Sequence, residues 1–192
     1  MSTACSTQGH TPIDGPIEWT EAETAEIEAI VGRYPTRRSA MLPVLWMAQR
    51  KFGWINFDVM RLVGQSLEQP PSEVFAVASF YSMLKKAPTG EHLIQVCHTL
   101  PCALRGADRL VQMLEDKLGI AVGQTTEDGK FSLMRVECLA SCGSAPMMQV
   151  NDDFFELLDE ARVDAILNGL SNGSALPTPR PEADEWQWTI GS

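Results

Sequence analysis

The chain has 192 residues, enough for one large domain or two small ones. Its formal net charge of −10 disfavours a nucleic-acid-binding protein, because such proteins present a basic face to the phosphates. The longest apolar stretches are far shorter than the roughly 20 residues that span a bilayer, so we expect no direct membrane insertion.

The first half of the chain predicts a flexible tail followed by a small helical bundle. Residues 1–17 are polar and lack the basic and apolar regions of a secretory signal, so the expected location is cytoplasmic. Residues 18–89 show four short apolar patterns at helical spacing, and we assign their Met, Trp and Phe stripes to the core. Thr20 and Glu23 form a predicted capping box for the first helix, and Ser72 is the predicted cap of the last.

The second half, residues 90–170, predicts a small α/β sandwich, so the expected fold class of the whole chain is α/β. The pattern gives the order β-α-β-β-α, with a crossover helix between the first two strands. The predicted elements are strands at 92–96, 131–136, 147–150 and 154–158, and helices at 103–118 and 161–170.

The C-terminal residues 171–192 are rich in Ser, Asn, Gly and Pro, which predicts a tail. Trp186 and Trp188 lie inside it, and exposed tryptophans are typical of binding contacts. A docking peptide for a neighbouring subunit and a mobile end are both compatible with this composition.

Four cysteines form two close pairs, Cys97-x4-Cys102 and Cys138-x3-Cys142, each just after a predicted strand. A [2Fe–2S] cluster takes two thiolates on each iron, so two pairs of cysteines suit it and indicate a one-electron carrier. Structural zinc with four thiolates and a pair of disulfides remain alternatives to this interpretation.

Other features near these pairs are given secondary roles. His98 is expected to be a partly solvated loop residue rather than a metal ligand, and Cys5 a bystander in the tail. Backbone N–H groups and the start of the helix near Ala103 are expected to stabilise the negative charge of a thiolate-bound cluster. Phosphate-binding and nucleophile motifs are absent from the sequence, so we predict no catalytic residues and no substrate site in this chain.

Four segments carry a resemblance to a known family. The segments are VCHTLPC, LPVLWMAQRKFGWI with VASFYSML, and GQTTEDGKFSLMRVECLASCGSAPMMQVNDDFFELL. They resemble the NuoE-type subunit of respiratory complex I over residues 34–170. The resemblance implies a thioredoxin-like domain behind a helical domain, with Cys97, Cys102, Cys138 and Cys142 binding one [2Fe–2S] cluster.

The resemblance also implies a place in a larger assembly. The expected partners are a NuoF-type subunit that binds FMN and NADH and other peripheral-arm subunits of NADH:quinone oxidoreductase. The cluster would accept single electrons from the flavin, in the hydrophilic arm on the cytoplasmic side of the inner membrane. Similar modules in NAD-linked hydrogenases and formate dehydrogenases give an alternative context, and a zinc-stabilised scaffold without redox function gives an alternative of another class.

The second cysteine pair departs from the family pattern, which commonly has Leu-Gly-Ala between the cysteines. Here Leu139, Ala140 and Ser141 occupy these positions. A positive φ would cost alanine about 1 kcal/mol or more relative to glycine, and we expect Ala140 to adopt an ordinary conformation instead. The Ser141 hydroxyl is predicted to donate a hydrogen bond to a cluster sulfur and to raise the reduction potential.

Overall fold

The computed structural model describes residues 13 and 15–180. These residues divide into two compact units, one ending at Pro88 and the other beginning at Thr89. In this part of the chain, no helix combines the length and the apolar character needed to cross a membrane.

The first unit contains the four predicted helices. They are α1 (Glu21–Val31), α2 (Met41–Phe52), α3 (Phe57–Leu67) and α4 (Pro71–Phe80), with a short 3-10 helix at Arg37–Ala40 before α2. The prediction of N-terminal helices is therefore confirmed.

One predicted helix cap is present and the other is not. The Thr20 hydroxyl accepts the Glu23 N–H at 3.3 Å, and the Glu23 carboxylate accepts the Thr20 N–H at 2.7 Å, which completes the capping box of α1. The prediction that Ser72 caps α4 is wrong, because the helix begins one residue earlier, at Pro71. Proline suits a first helical position, where the missing N–H has no bond to make and φ is already helical.

Helices α2, α3 and α4 supply most of the core of this unit. The fully buried side chains include Val44, Leu45, Ala48, Val59, Val63, Leu67, Val74 and Ala78. Gly64 of α3 lets the chain approach closely, because a Cβ there would lie 2.7 Å from the carbonyl oxygen of Gln69. The prediction that the aromatic side chains belong to the core is wrong for Phe80, the last residue of α4, because 80% of its surface is exposed.

The second unit is built on a four-stranded sheet. Its strands are β1 (His92–Cys97), β2 (Phe131–Val136), β3 (Met148–Val150) and β4 (Asp153–Phe155), in the spatial order β2-β1-β3-β4. Strand β1 runs parallel to β2, with Ile94 opposite Leu133 and Cys97 opposite Val136. Strand β3 runs antiparallel to both β1 and β4. The predicted α/β class is confirmed.

The crossover between β1 and β2 contains two helices where one was predicted. The single helix expected over 103–118 is replaced by α5 (Leu100–Leu104) and α6 (Ala107–Leu118). Gly106 separates them with φ = +94°, a value that a right-handed helix cannot contain. After the sheet, α7 (Glu160–Asn172) ends two residues beyond the predicted helix.

The apolar residues of the second unit form one large cluster and one small cluster. Ile94 and Val96 of β1 belong to the large cluster, together with Leu114 of α6 and Ile166 of α7. Cys97 belongs to the small cluster, whose other buried members are Cys102, Ala107, Ala145 and Met147. Because successive strand residues point to opposite faces, Cys97 lies on the other face of β1 from Ile94 and Val96. The first cysteine pair is therefore built outside the main core.

Candidate metal centre

The first cysteine segment (residues 97–102) joins the end of β1 to α5. Cys97 is the last residue of the strand, and Cys102 lies within α5 rather than before the helix predicted at 103–118. Both side chains are buried, with 3% and 2% of their residue surfaces exposed. The first pair is therefore held by secondary structure on both sides and shielded from water.

The second cysteine loop (residues 137–147) connects β2 to β3. Cys138 follows β2 by two residues and Cys142 begins a 3-10 helix at Cys142–Ser144, and both cysteines are exposed. Because β1 and β2 are parallel neighbours, their carboxyl ends meet at one edge of the sheet. The His98 N–H donates to the Val136 carbonyl oxygen at 3.2 Å, which extends the pairing with β2 into the first cysteine segment.

Cys97, Cys102, Cys138 and Cys142 are free thiols at this edge of the sheet. Their four sulfur atoms do not form a single compact cluster. The Cys102 thiol donates a hydrogen bond to Cys97, whereas the Cys138 sulfur accepts the Ala140 N–H at 3.3 Å. Among the described residues, no three His, Cys, Asp or Glu side chains lie close enough together to hold a metal ion. The chemistry of the donor set nevertheless fits a [2Fe–2S] cluster, since each of the two segments offers two soft sulfur donors.

Backbone N–H groups donate to both buried sulfurs, as the sequence predicted. Burial raises the pKa of the Cys97 thiol, but hydrogen bonds from the Thr99 hydroxyl and from the N–H groups of Thr99 and Leu139 outweigh it and leave that pKa below its usual value. The Thr99 oxygen lies 3.4 Å from the Cys97 sulfur. Leu139 belongs to the second cysteine loop, so its N–H directly links the two segments.

The second buried thiol shifts in the opposite direction. Burial raises the pKa of Cys102 to about 11, and its hydrogen bond to Cys97 and the negative charge of Cys97 add to the effect. The Met147 N–H partly offsets this shift. Metal binding at Cys102 would therefore displace the thiol proton, which is the usual coupling of thiolate ligation to proton release.

Ser141 has a different partner from the predicted one. Its hydroxyl donates to the carboxylate of Glu156 and lies 2.7 Å from the Ser144 hydroxyl oxygen. A hydroxyl group can donate only one hydrogen bond, and in this structure the Ser141 hydroxyl donates that bond to the Glu156 carboxylate. In this structure the Ser141 hydroxyl is therefore directed at Glu156, and its hydrogen bond to a cluster sulfur stays a prediction.

Ala140 adopts a left-handed backbone conformation. Its φ is +60°, in the left-handed region, so the expectation of an ordinary conformation is wrong. The chain bends at Ala140, between Cys138 and Cys142, and the residue is exposed. Glycine would occupy this position without the steric cost of a Cβ atom.

The remaining candidate residues separate into those beside the site and those outside the described residues. His98 is a partly exposed loop residue, with its Nε2 atom 3.6 Å from a Glu137 carboxylate oxygen. Cys5, Trp186 and Trp188 lie outside the described residues. Sequence reasoning missed Thr99, which the cysteine-flanked segment VCHTLPC could have indicated, and Glu156, for which the sequence holds no signal.

A four-stranded sheet with two cysteine segments at one edge defines a thioredoxin-like α/β domain, here preceded by a helical unit. The sequence profile of the thioredoxin-like [2Fe-2S] ferredoxin family matches residues 27–171. The chain is 42% identical over 166 residues to the mitochondrial NADH dehydrogenase [ubiquinone] flavoprotein 2 of Dictyostelium discoideum, covering 85% of this chain and 66% of that protein. It is 43% identical over 148 residues to a Rickettsia typhi protein that is a subunit of NADH-quinone oxidoreductase, covering 76% of this chain and 87% of that protein.

The chain belongs to the thioredoxin-like [2Fe-2S] ferredoxin family. A solved structure with a similar fold is a chain of an NAD+-reducing [NiFe]-hydrogenase, with a TM-score of 0.62 and 23% identity. The match covers 77% of this chain and 24% of the hydrogenase chain, and at this identity it concerns the fold alone. Family membership confirms the resemblance to NuoE-type subunits and supports the prediction of one [2Fe–2S] cluster. The identity of the four ligands stays a prediction.

Proposed function

We propose that this chain is the electron-transfer subunit of an NADH:quinone oxidoreductase and binds one [2Fe–2S] cluster through Cys97, Cys102, Cys138 and Cys142. The observation that carries the proposal is the arrangement of two cysteine pairs at the carboxyl edge of the parallel strands β1 and β2. Relatives named as subunits of NADH dehydrogenase and NADH-quinone oxidoreductase support the assignment to that complex.

The two cysteine pairs differ in burial, and their proposed roles in binding the cluster differ accordingly. When bound, a [2Fe–2S] cluster supplies one-electron transfer. Cys97 and Cys102 would bind it as buried ligands, and Cys138 and Cys142 would bind it as exposed ligands. N–H groups of Thr99, Leu139 and Met147 point at the buried sulfurs and offset the negative charge that burial alone would disfavour.

The exposed side of the same edge suits an electron-transfer partner. Leu100 and Leu104 flank Cys102 on α5 with 70% and 79% of their surfaces exposed. Large exposed apolar side chains beside a redox site are typical of a protein contact. We assign this edge to a NuoF-type subunit that binds FMN and NADH, and the chain to the peripheral arm of the complex.

The cluster is tested by anaerobic reconstitution of the full chain with iron and sulfide. We expect about two irons per chain, a red-brown protein and an electron paramagnetic resonance signal after reduction with dithionite. Cys→Ser at any of the four proposed ligands should remove most of the iron, whereas Cys5→Ser serves as the matched control and should retain it. A colourless, iron-free or zinc-loaded wild type would refute the proposal.

The assembly is tested by affinity purification of the tagged chain from its native host. We expect an FMN-containing partner that oxidises NADH, together with further subunits of the peripheral arm. Co-purification with a hydrogenase or a formate dehydrogenase would overturn the assignment to NADH:quinone oxidoreductase while leaving the cluster intact.

A further inference from the structure

Glu156 is a mostly buried carboxylate with a partner on each side. It follows β4, and only 13% of its side-chain surface is exposed. One oxygen accepts the hydroxyl proton of Ser141, and the other lies 3.6 Å from the Nε atom of Arg180. A single carboxylate thus connects the second cysteine loop to a distant part of the chain.

The residues after Glu156 contact the same loop through the backbone. The Leu157 N–H donates to the Ser144 carbonyl oxygen at 2.9 Å, and the Leu158 N–H donates to the Pro146 carbonyl oxygen at 3.0 Å. Leu157 has φ = +51°, a conformation that leucine keeps only where its surroundings hold it. Three successive residues therefore bind one loop, the first through its side chain and the next two through their N–H groups.

The C-terminal segment (residues 174–180) holds Glu156 from the other side. The Glu156 N–H donates to the Pro179 carbonyl oxygen at 3.0 Å, and Arg162 of α7 donates to the Thr178 carbonyl oxygen at 2.9 Å. This segment is the described part of the predicted tail, and it contacts its own chain. These contacts place Arg180 beside the Glu156 carboxylate, which also accepts the hydrogen bond from Ser141.

We propose that Glu156 is a positioning residue for Cys138 and Cys142, acting through Ser141 and Ser144, and that Arg180 keeps Glu156 in place. The inference rests on the proposed function, because it concerns the loop that would supply the exposed pair of ligands. It gives the C-terminal segment a role in setting the geometry of the metal centre from outside it.

The first test is amide hydrogen exchange of the metal-free full chain, followed by mass spectrometry. A hydrogen bond to a charged acceptor is worth enough that Glu156→Ala should speed exchange in residues 137–147 by about tenfold. Glu156→Gln keeps an acceptor oxygen for Ser141 and should restore most of the protection, and Arg180→Ala should give a smaller change of the same kind. Residues 97–102 should exchange at the wild-type rate in all three variants.

The second test uses the reconstituted protein. Glu156→Ala should change the electron paramagnetic resonance spectrum of the reduced cluster and speed iron loss to a chelator, because two of its four ligands lie on the loosened loop. Asp164→Ala is the matched control, since Asp164 pairs with Lys117 at 2.6 Å between α7 and α6. That control should change neither the spectrum nor the exchange of residues 137–147.

Unchanged exchange in Glu156→Ala, or an equal increase in both cysteine segments, would overturn the inference. If Glu156→Ala does not fold, Ser141→Ala and Arg180→Ala take its place, and wild-type protection of the loop in both would overturn it equally. Failure of the wild type to bind iron would instead refute the proposed function, because the exchange experiment needs no metal.

Discussion

Replacing Ala140 with glycine should stabilise the metal-free protein, because alanine occupies the left-handed region at φ = +60°. That conformation costs an L-residue roughly 1–2 kcal/mol relative to the right-handed regions. Glycine also raises the conformational entropy of the unfolded chain, which lowers the free energy of unfolding by about 0.5–1 kcal/mol and offsets part of this gain. Ala140 is exposed, so loss of its methyl group removes little packing, and its N–H still donates to Cys138.

The expected net stabilisation is therefore about 0.5–1 kcal/mol. For a unit of this size it corresponds to a rise in Tm of roughly 2–8 °C, measurable by circular dichroism under reducing conditions. Ala121→Gly is the matched control, because Ala121 is also an exposed loop residue but has no positive φ. The control should lower the Tm. A fall in Tm for Ala140→Gly like that of the control would refute the reasoning from backbone strain.

Three further predictions concern stability. Leu114→Ala should cost about 2–5 kcal/mol in urea unfolding, because Leu114 is fully buried and its loss leaves a cavity. Gly64→Ala should cost about 1–3 kcal/mol, since the new methyl group would lie 2.7 Å from a backbone oxygen, while Gly32→Ala should be neutral or slightly stabilising in the same assay. The hydrogen bond from Lys51, with a further one from the Thr20 N–H, holds the pKa of Glu23 below its ordinary 4.5, so its contribution to stability is full above pH 4.5 and is lost as pH falls through the lowered value. Glu23→Gln should flatten this part of the acid-unfolding profile.

Each of these predictions has a clear contrary outcome. Leu104→Ala removes the same side chain from a position that is 79% exposed, so equal losses at Leu104 and Leu114 would contradict the cavity argument. Equal costs for Gly64→Ala and Gly32→Ala would contradict the steric argument. A Glu23→Gln protein that loses stability below pH 4.5 as steeply as the wild type would show that other carboxylates control the acid limb.

The sequence by itself determined the features that depend on neighbouring residues. The strand at 131–136 has the predicted bounds, and the capping box at Thr20 forms as its residue types indicate. Strand alternation and helix capping act over two to four residues, so a local pattern is enough to predict them. The two cysteine pairs, and their positions at or just after the ends of β1 and β2, are visible in the same way.

Tertiary structure decided the features that depend on residues far apart in the chain. The periodic residues from 103 to 118 could form one helix, but Gly106 turns the chain so that α5 carries Cys102 beside Cys97. Ser141 meets Glu156 only because β3 and β4 reverse the chain between them. The left-handed φ of Ala140 likewise does not follow from its residue type, because residues other than glycine disfavour that conformation. In each case the local preference is weak, and the geometry of distant contacts sets the outcome.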